Sequence, residues 1–315
     1  MIKVLLQRLA IAIPVLFGVS VLVFALMEWI PGDPALAILG PMATEENLQN
    51  LREELNLNEP LVVRYGTWMQ GILQGDWGTS YSLERPVWDE VRERFGATLI
   101  LAGVAFILCI LFGVLAGVTM AVRQNSLLEK VIMIAVTAGI STPAFWLGLV
   151  LIQLFAIQLG WLPSGGMGPA LGEIGWLQML PYLLLPALTL SLVAASIIAR
   201  ILRARMIELL RMDFIRTARA KGLPEQTIIW RHAFRNALPP LLPLLGIQAG
   251  YVLGGAVYVE SIFQWPGIGS MLVAAIQSRD LLLVQGGVLI VATTYVLLNL
   301  CADILQHALD PRTLS

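Results

Sequence analysis

Charge is scarce in this sequence. Only 13% of the 315 residues are Asp, Glu, Lys or Arg, while 57% are hydrophobic. An ordinary soluble domain is about 25% charged, so too few charges remain to coat a globule of this size, and a bilayer must cover much of the surface. From the net charge of −1 no general affinity for nucleic acid or acidic surfaces follows, and the distribution of charge matters more. Cysteine and histidine are each present twice. Cys109 and Cys301 lie inside apolar runs, where a thiol acts as a small hydrophobe, and they imply neither a disulfide framework nor a metal site. His232 and His307 fall in different segments without metal-ligand spacing. No G-x-x-x-x-G-K-[ST] loop, no H-E-x-x-H and no G-x-S-x-G occurs, which argues against phosphate-loop nucleotide binding, zinc proteolysis and serine hydrolysis within this chain. Ionisable groups deep in the apolar runs are also missing. Glu28, Glu260 and Asp303 come nearest, all toward run ends, where a structural role at a helix interface is the simpler reading.

What the chain does have is six long apolar runs, at 9–30, 98–122, 131–159, 176–199, 237–259 and 281–302. Each meets the roughly 20 residues that a helix needs to cross about 30 Å of hydrocarbon. The first follows Lys3 and Arg8 as a signal peptide would, but it is too long and lacks a small-residue cleavage site, so it reads as a retained span. Ser141-Thr142-Pro143 in the third run predicts a kink. The fold class expected is all-α, a polytopic membrane protein of six helices. Placing the N-terminus in the cytoplasm puts fourteen Lys and Arg on that side and six on the other, so both termini are expected to be cytoplasmic.

Three blocks follow along the chain. Residues 1–30 form a stub and the first span. Residues 31–96 hold eleven acids and five cations, too polar for a membrane, and predict a small helical domain outside it. Thr44 can cap a helix carrying Leu48, Leu51 and Leu55, another helix covers 62–74, and Pro86 can open a turn leading to Trp88, Val91 and Phe95. Residues 97–315 form the core, with a cytoplasmic loop over about 203–236. At the exit of the fifth run, Trp265, Pro266 and Gly267 suggest interfacial anchoring.

Small residues recur at four-residue spacing. Gly246, Gly250 and Gly254 do so in the fifth run and Gly113 and Gly117 in the second, a pattern that lets helix backbones approach closely. For the first three, packing within the chain and a pore-facing or subunit-facing surface are both open.

The stretch 216–223, RTARAKGL, concentrates positive charge. Asp213 suits an N-cap, 214–221 is a helix-compatible octet, Gly222 suits a left-handed C-cap, and Pro224 blocks continuation. A helix that short is marginal in water and needs something to pack on. Its small residues suit insertion into a groove on a cytoplasmic partner. An anchor lying on anionic lipid is the alternative.

At these residues the chain resembles the membrane permease subunits of bacterial ABC importers of the dipeptide, oligopeptide, nickel and glutathione group. Landmarks occur in order across nearly the whole chain: PGDP at 31–34, NLNEPL at 56–61, GDWGTS at 75–80, RPV at 85–87, PALTL at 186–190, RTARAKG at 216–222, RNAL at 235–238, WPGIG at 265–269 and DPR at 310–312. The broader importer pattern E-A-A-x-x-x-G is matched at Ala218 and Gly222, while Arg216 and Thr217 stand in place of its Glu and first Ala. The resemblance implies a type I importer permease fold in the bacterial inner membrane. It also implies that Asp213, Phe214, Arg216, Thr217, Ala218, Arg219, Ala220, Lys221, Gly222 and Leu223 couple to an ATPase subunit. The implied partners are a second homologous permease, two cytoplasmic ATP-binding subunits and an extracytoplasmic substrate-binding protein. ATP and Mg would be bound by the partners, with no cofactor, catalytic residue or metal on this chain. The other reading of the same spans is an ATP-independent channel or ion-coupled carrier.

Overall fold

The computed structural model describes residues 2–29, 33–40, 42–54, 56–169 and 175–309. Helix dominates, as apolar runs in hydrocarbon require: only a helix satisfies its backbone within the segment. In chain order the helices are α1 (Ile2–Trp29), α2 (Pro34–Leu39), α3 (Glu45–Glu54) and α4 (Leu61–Gln74). A two-residue antiparallel ladder follows, β1 (Thr79–Ser80) on β2 (Arg85–Pro86), with Ser80 opposite Arg85. It is a small departure from the all-α expectation. Then come α5 (Val87–Val122), α6 (Leu127–Ser141), α7 (Ala144–Leu151) with a π-helical extension Ile152–Gln158, α8 (Trp176–Leu210), and α9 (Asp213–Ala220). After these come α10 (Glu225–Thr227), a π-helical stretch Ile228–Phe234, α11 (Arg235–Ala237), α12 (Leu241–Ile262), α13 (Ile268–Gln277) and α14 (Leu281–Leu309).

Among the described residues, four helices are long and apolar enough to cross a membrane: α5, α8, α12 and α14 as far as Ala302. The α6–α7 pair makes a fifth if its two arms are one bent span, the chain bending by 114° between them. Thr142 and Pro143 form the break: Pro143 has no N–H to continue the α6 ladder and is the N-cap residue of α7. The kink at this tripeptide is where the sequence placed it. The first apolar run falls in α1, whose described apolar part is the 17 residues Ala10–Leu26, so the count of six is not reached by length and composition alone. Two boundaries also differ from expectation. The second run begins not at 98 but inside a 36-residue helix that opens after Pro86, because nothing between Trp88 and Thr98 stops it. The fifth begins at Leu241 rather than 237, because Pro239 and Pro240 interrupt the ladder.

The chain divides into two compact units. One comprises Thr98–Trp265 with Leu297–Ser315. In it α8 packs on α6, α7 and α12. The G-x-x-x-G of α5 sets its contact with α8: a Cβ on Gly113 would stand 2.8 Å from the Ile198 Cβ, and one on Gly117 2.9 Å from the Ala199 carbonyl oxygen. The other unit comprises Ile2–Ala97 with Pro266–Val296. There Thr44 Oγ1 accepts from the Asn47 amide at 3.3 Å, capping α3, while Leu48 and Leu51 bury against Ala35. Val87, Val91, Ile268, Met271, Leu283 and Val284 form this unit's larger core.

Candidate functional site

The most charged segment of the first unit folds as a short capped helix. α9 runs Asp213–Ala220, one residue earlier than the octet read from sequence, with Met212 in the extended N-cap conformation and no side-chain cap. Asp213 is therefore the first helical residue, where its carboxylate favours the positive end of the helix dipole. Thr217 Oγ1 donates to its carbonyl at 3.0 Å.

The far end is a Schellman turn. Gly222 has φ +76°, its amide donates to the Arg219 carbonyl at 2.9 Å, and the Leu223 amide reaches back to the Ala218 carbonyl at 3.3 Å. Gly222 thus does the task assigned to it, and Pro224 is the N-cap residue from which α10 starts. Across this turn the Arg219 guanidinium grips both oxygens of Glu225, Nε to Oε1 at 2.7 Å and Nη2 to Oε2 at 3.3 Å. That hydrogen-bonded carboxylate holds the guanidinium above its ordinary pKa.

What α9 packs on is the chain itself. Ile215 is fully buried and Ala218 is buried beside it, in a cluster with Val118 and Ala121 of α5, Leu202, Met206 and Leu209 of α8, and Ile228, Ala233 and Ala237 downstream. This corrects two expectations. The marginal helix does not need a partner to exist, because an intramolecular platform offsets its nucleation cost. Ala218 faces inward, so it is not available to another subunit. The exposed residues are Asp213, Phe214, Arg216, Thr217, Arg219, Ala220, Lys221, Gly222 and Leu223, with Phe214 and Leu223 the large apolar ones among them.

The three glycines of α12 part company. A Cβ on Gly246 would collide with that of Ala302, so this position seals a helix contact. Gly250 is buried. Gly254 has nothing within 4 Å of where its Cβ would be, and it borders an open depression of about 400 Å³ lined by Ala144, Phe145, Tyr251, Gly255 and Tyr258. Successive glycines four residues apart advance about 40° around a helix of 3.6 residues per turn, which is why one row serves two purposes.

Glu260, near the end of α12, is fully buried and accepts a 2.6 Å hydrogen bond from Thr98 Oγ1. Trp265 is buried as well, contrary to the interfacial anchoring expected of it, and so is Phe263. Phe263 is held because its ring abuts Gly148 and its carbonyl accepts from the Gly166 amide at 2.8 Å. Pro266 precedes Gly267, the extended residue from which α13 starts. Asp303 lies on α14, with its side chain outside the described residues, as are 31–32 and 310–312 entirely.

Three buried carboxylates were not singled out from sequence. Asp280 accepts from Ser80 Oγ at 2.6 Å, from the Ser82 amide and hydroxyl at 3.1 and 2.8 Å, and from the Leu283 amide at 3.1 Å. An Asp before an apolar run is an N-cap signal, but its serines are some 200 positions away. Glu90 lies between Arg85 at 2.7 Å and Arg94 at 2.6 Å, and the i, i+4 spacing of the latter was readable. Glu129 pairs with Arg203 of α8, which no spacing rule would find.

Comparison with known proteins decides what these elements belong to. Residues 110–315 match the family described as binding-protein-dependent transport system inner membrane component, and residues 1–102 match its N-terminal counterpart. The chain belongs to this family. It is a multi-pass inner-membrane permease subunit of an ABC importer and not an enzyme. It is 40% identical over 325 residues to a dipeptide transport system permease protein, DppB, of Alkalihalophilus pseudofirmus, covering 97% of each chain. It is 39% identical over 312 residues to a glutathione transport system permease protein, GsiC, of Escherichia coli K12, covering 99% of this chain and 98% of that one. A solved structure described as an inward-facing conformation of the MetNI methionine ABC transporter superposes with a TM-score of 0.56 at 20% identity, covering 71% of this chain and 98% of that chain. At that identity the likeness speaks for the fold.

Proposed function

We propose that this permease carries a small peptide or peptide-like solute and that α9 is the element through which ATPase subunits drive it. The observation that carries the coupling role is the two-sidedness of α9. Its inner face is pinned by Ile215 and Ala218, so movement of the helix moves α5 and α8 with it. Its outer face leaves Phe214 and Leu223 exposed among Arg216 and Lys221, apolar anchors in a basic rim that suit a cleft with acidic edges. The dipeptide and glutathione names of the similar permeases support the solute class.

The partners in this reading are a second homologous permease, two ATP-binding subunits that hold ATP and Mg, and an extracytoplasmic binding protein. The membrane count becomes six: α1, α5, the bent α6–α7 pair, α8, α12 and α14, with both termini cytoplasmic as the Lys and Arg distribution favours. Residues 31–96 form the extracytoplasmic domain. Moving a two-state path from 1:99 to 99:1 takes about 5.5 kcal/mol of differential binding, which nucleotide-driven closure of two partner subunits can supply.

The test uses the full complex. Phe214→Ala should lower recovery of ATPase subunits on the tagged chain about 30-fold, as expected of a hot-spot aromatic worth about 2 kcal/mol, and abolish ATP-dependent uptake while membrane insertion stays normal. Normal recovery and uptake in Phe214→Ala and Leu223→Asp together would refute the docking face. Uptake by the purified chain alone in vesicles would instead favour an ATP-independent carrier.

A further inference from the structure

Within the apolar stretch of α5, the exposed large side chains are Leu99, Ile107, Leu111, Leu115 and Val122, aliphatic throughout, as a surface in lipid should be. The open face of α12 is different. Ile247, Tyr251, Gly254, Tyr258 and Ser261 succeed each other at intervals of four, three, four and three and are all exposed, with Tyr251 at 47% and Tyr258 at 69%. Tyr258, a turn from the end of α12, could sit at a membrane interface like any belt tyrosine. Tyr251 lies at the midpoint of this 22-residue helix, where hydrocarbon offers its hydroxyl no partner. Next to it is the depression of about 400 Å³, with Phe145 and Ala144 of α7 as its other wall. No charged side chain lines it. Gly254 keeps it open, since any side chain there would extend into empty space.

From this contrast we infer that the stripe Tyr251–Gly254–Tyr258 faces water rather than lipid, and that Tyr251 is a specificity-determining residue met by the transported solute. This rests on the permease reading and names a surface for it. The chemistry of the lining narrows the solute. Uncharged aromatic faces and phenolic hydroxyls receive N–H donors, stack on peptide planes and attract ammonium groups over the ring. They give no charge pairing to an isolated anion. A zwitterionic, amide-bearing solute fits this surface.

Cysteine substitution in the assembled complex tests it. With Cys109→Ala and Cys301→Ala as background, single cysteines replace Tyr251, Gly254, Tyr258, Ile107 or Leu111, and a charged, membrane-impermeant maleimide is the probe. Because a thiol reacts as its thiolate, which forms in contact with water, the three α12 positions should label about tenfold or more faster than the two on α5. Gly254→Cys is the decisive variant, because its new side chain displaces nothing. Labelling of the α12 positions as slow as that of Ile107→Cys would place the stripe in lipid and overturn the inference. So would spontaneous cross-linking of Gly254→Cys to a neighbouring permease without maleimide labelling, since the stripe would then be a subunit seam. Recovery of ATPase subunits is scored on the same samples. Its loss in the background chain would count against the permease assembly, whereas normal recovery with unlabelled cysteines counts against this surface alone.

Discussion

The α9 segment and the Asp280 cluster handle charge in opposite ways. In α9 the cations are outside and the anchoring is apolar: Ile215 and Ala218 hold the helix while Arg216, Arg219 and Lys221 stay in solvent. At Asp280 the charge is inside. A carboxylate 1% exposed gathers two serine hydroxyls and two backbone amides, tying the β1 region to the start of α14. The first arrangement leaves a surface for others to bind, and the second uses every acceptor internally. The buried cluster should therefore dominate stability, and the exposed one should dominate coupling.

The largest effect expected is from Asp280→Ala. It strands several buried donors, and at 1–3 kcal/mol for an unsatisfied group, moderated by relaxation, about 4 kcal/mol of stability should be lost. Thermal unfolding of the purified protein in detergent measures this, with Asp280→Asn losing less because one acceptor remains. A loss under about 1 kcal/mol would mean that the cluster is solvated. Next is Ile215→Ala, which removes a fully buried side chain and should cost about 3 kcal/mol. Phe214→Ala, one position away but exposed, should stay within about 0.5 kcal/mol of the parent. If the two variants unfold alike, the inward and outward faces of α9 have been assigned wrongly.

Smaller still is the Arg219–Glu225 pair. With side chains 47% and 60% exposed, it should contribute about 0.2–1 kcal/mol to stability. It braces the Gly222 turn, however, so its effect on uptake per ATP hydrolysed should exceed its effect on unfolding. Arg219→Glu should lower that ratio, and the exchange Arg219→Glu with Glu225→Arg should restore it. If the exchange leaves it as low as the single change, Arg219 touches the ATPase subunit directly.

How much of this could be read in the sequence follows the range of each interaction. Gly222, Pro224 and the Thr142–Pro143 break are local rules about φ and missing amides, and all three hold in the structure. Thr44 and the Leu48–Leu51 face are equally local. The facing of Ala218 was not readable, since a small residue on a short helix suits a foreign groove and a native platform equally. The platform is made of Val118, Leu202 and Ala233, and no periodicity within 213–223 reveals them. Trp265 is fully buried, which an aromatic at a span exit does not by itself reveal. The clamps on Asp280 and Glu129 join residues about 200 and 74 positions apart, beyond what a window on one sequence can see.

Acid should act most mildly, through a carboxylate that is neither fully buried nor free in solvent. Asp33 caps α2 through the Ala35 amide at 2.9 Å and takes two hydrogen bonds from Arg52 of α3, at 2.9 and 2.6 Å. Partial burial alone would raise its pKa, but the Arg52 guanidinium, the Ala35 amide and the nearby positive charge together hold the carboxyl below its ordinary value. A carboxyl lowered on folding contributes stability that is complete above its unfolded pKa, near 3.9, and is lost as pH falls through the folded value. The α2–α3 pairing should therefore be indifferent to pH between about 5 and 8 and loosen only in strong acid. Limited proteolysis across 40–60 at stepped pH reads this directly. Asp33→Asn should cleave faster than the parent at neutral pH and show little further change on acidification. An equal acid response in that variant would assign the transition to another carboxylate, Glu45 being the first to examine, because it also bonds Arg52 at 3.2 Å.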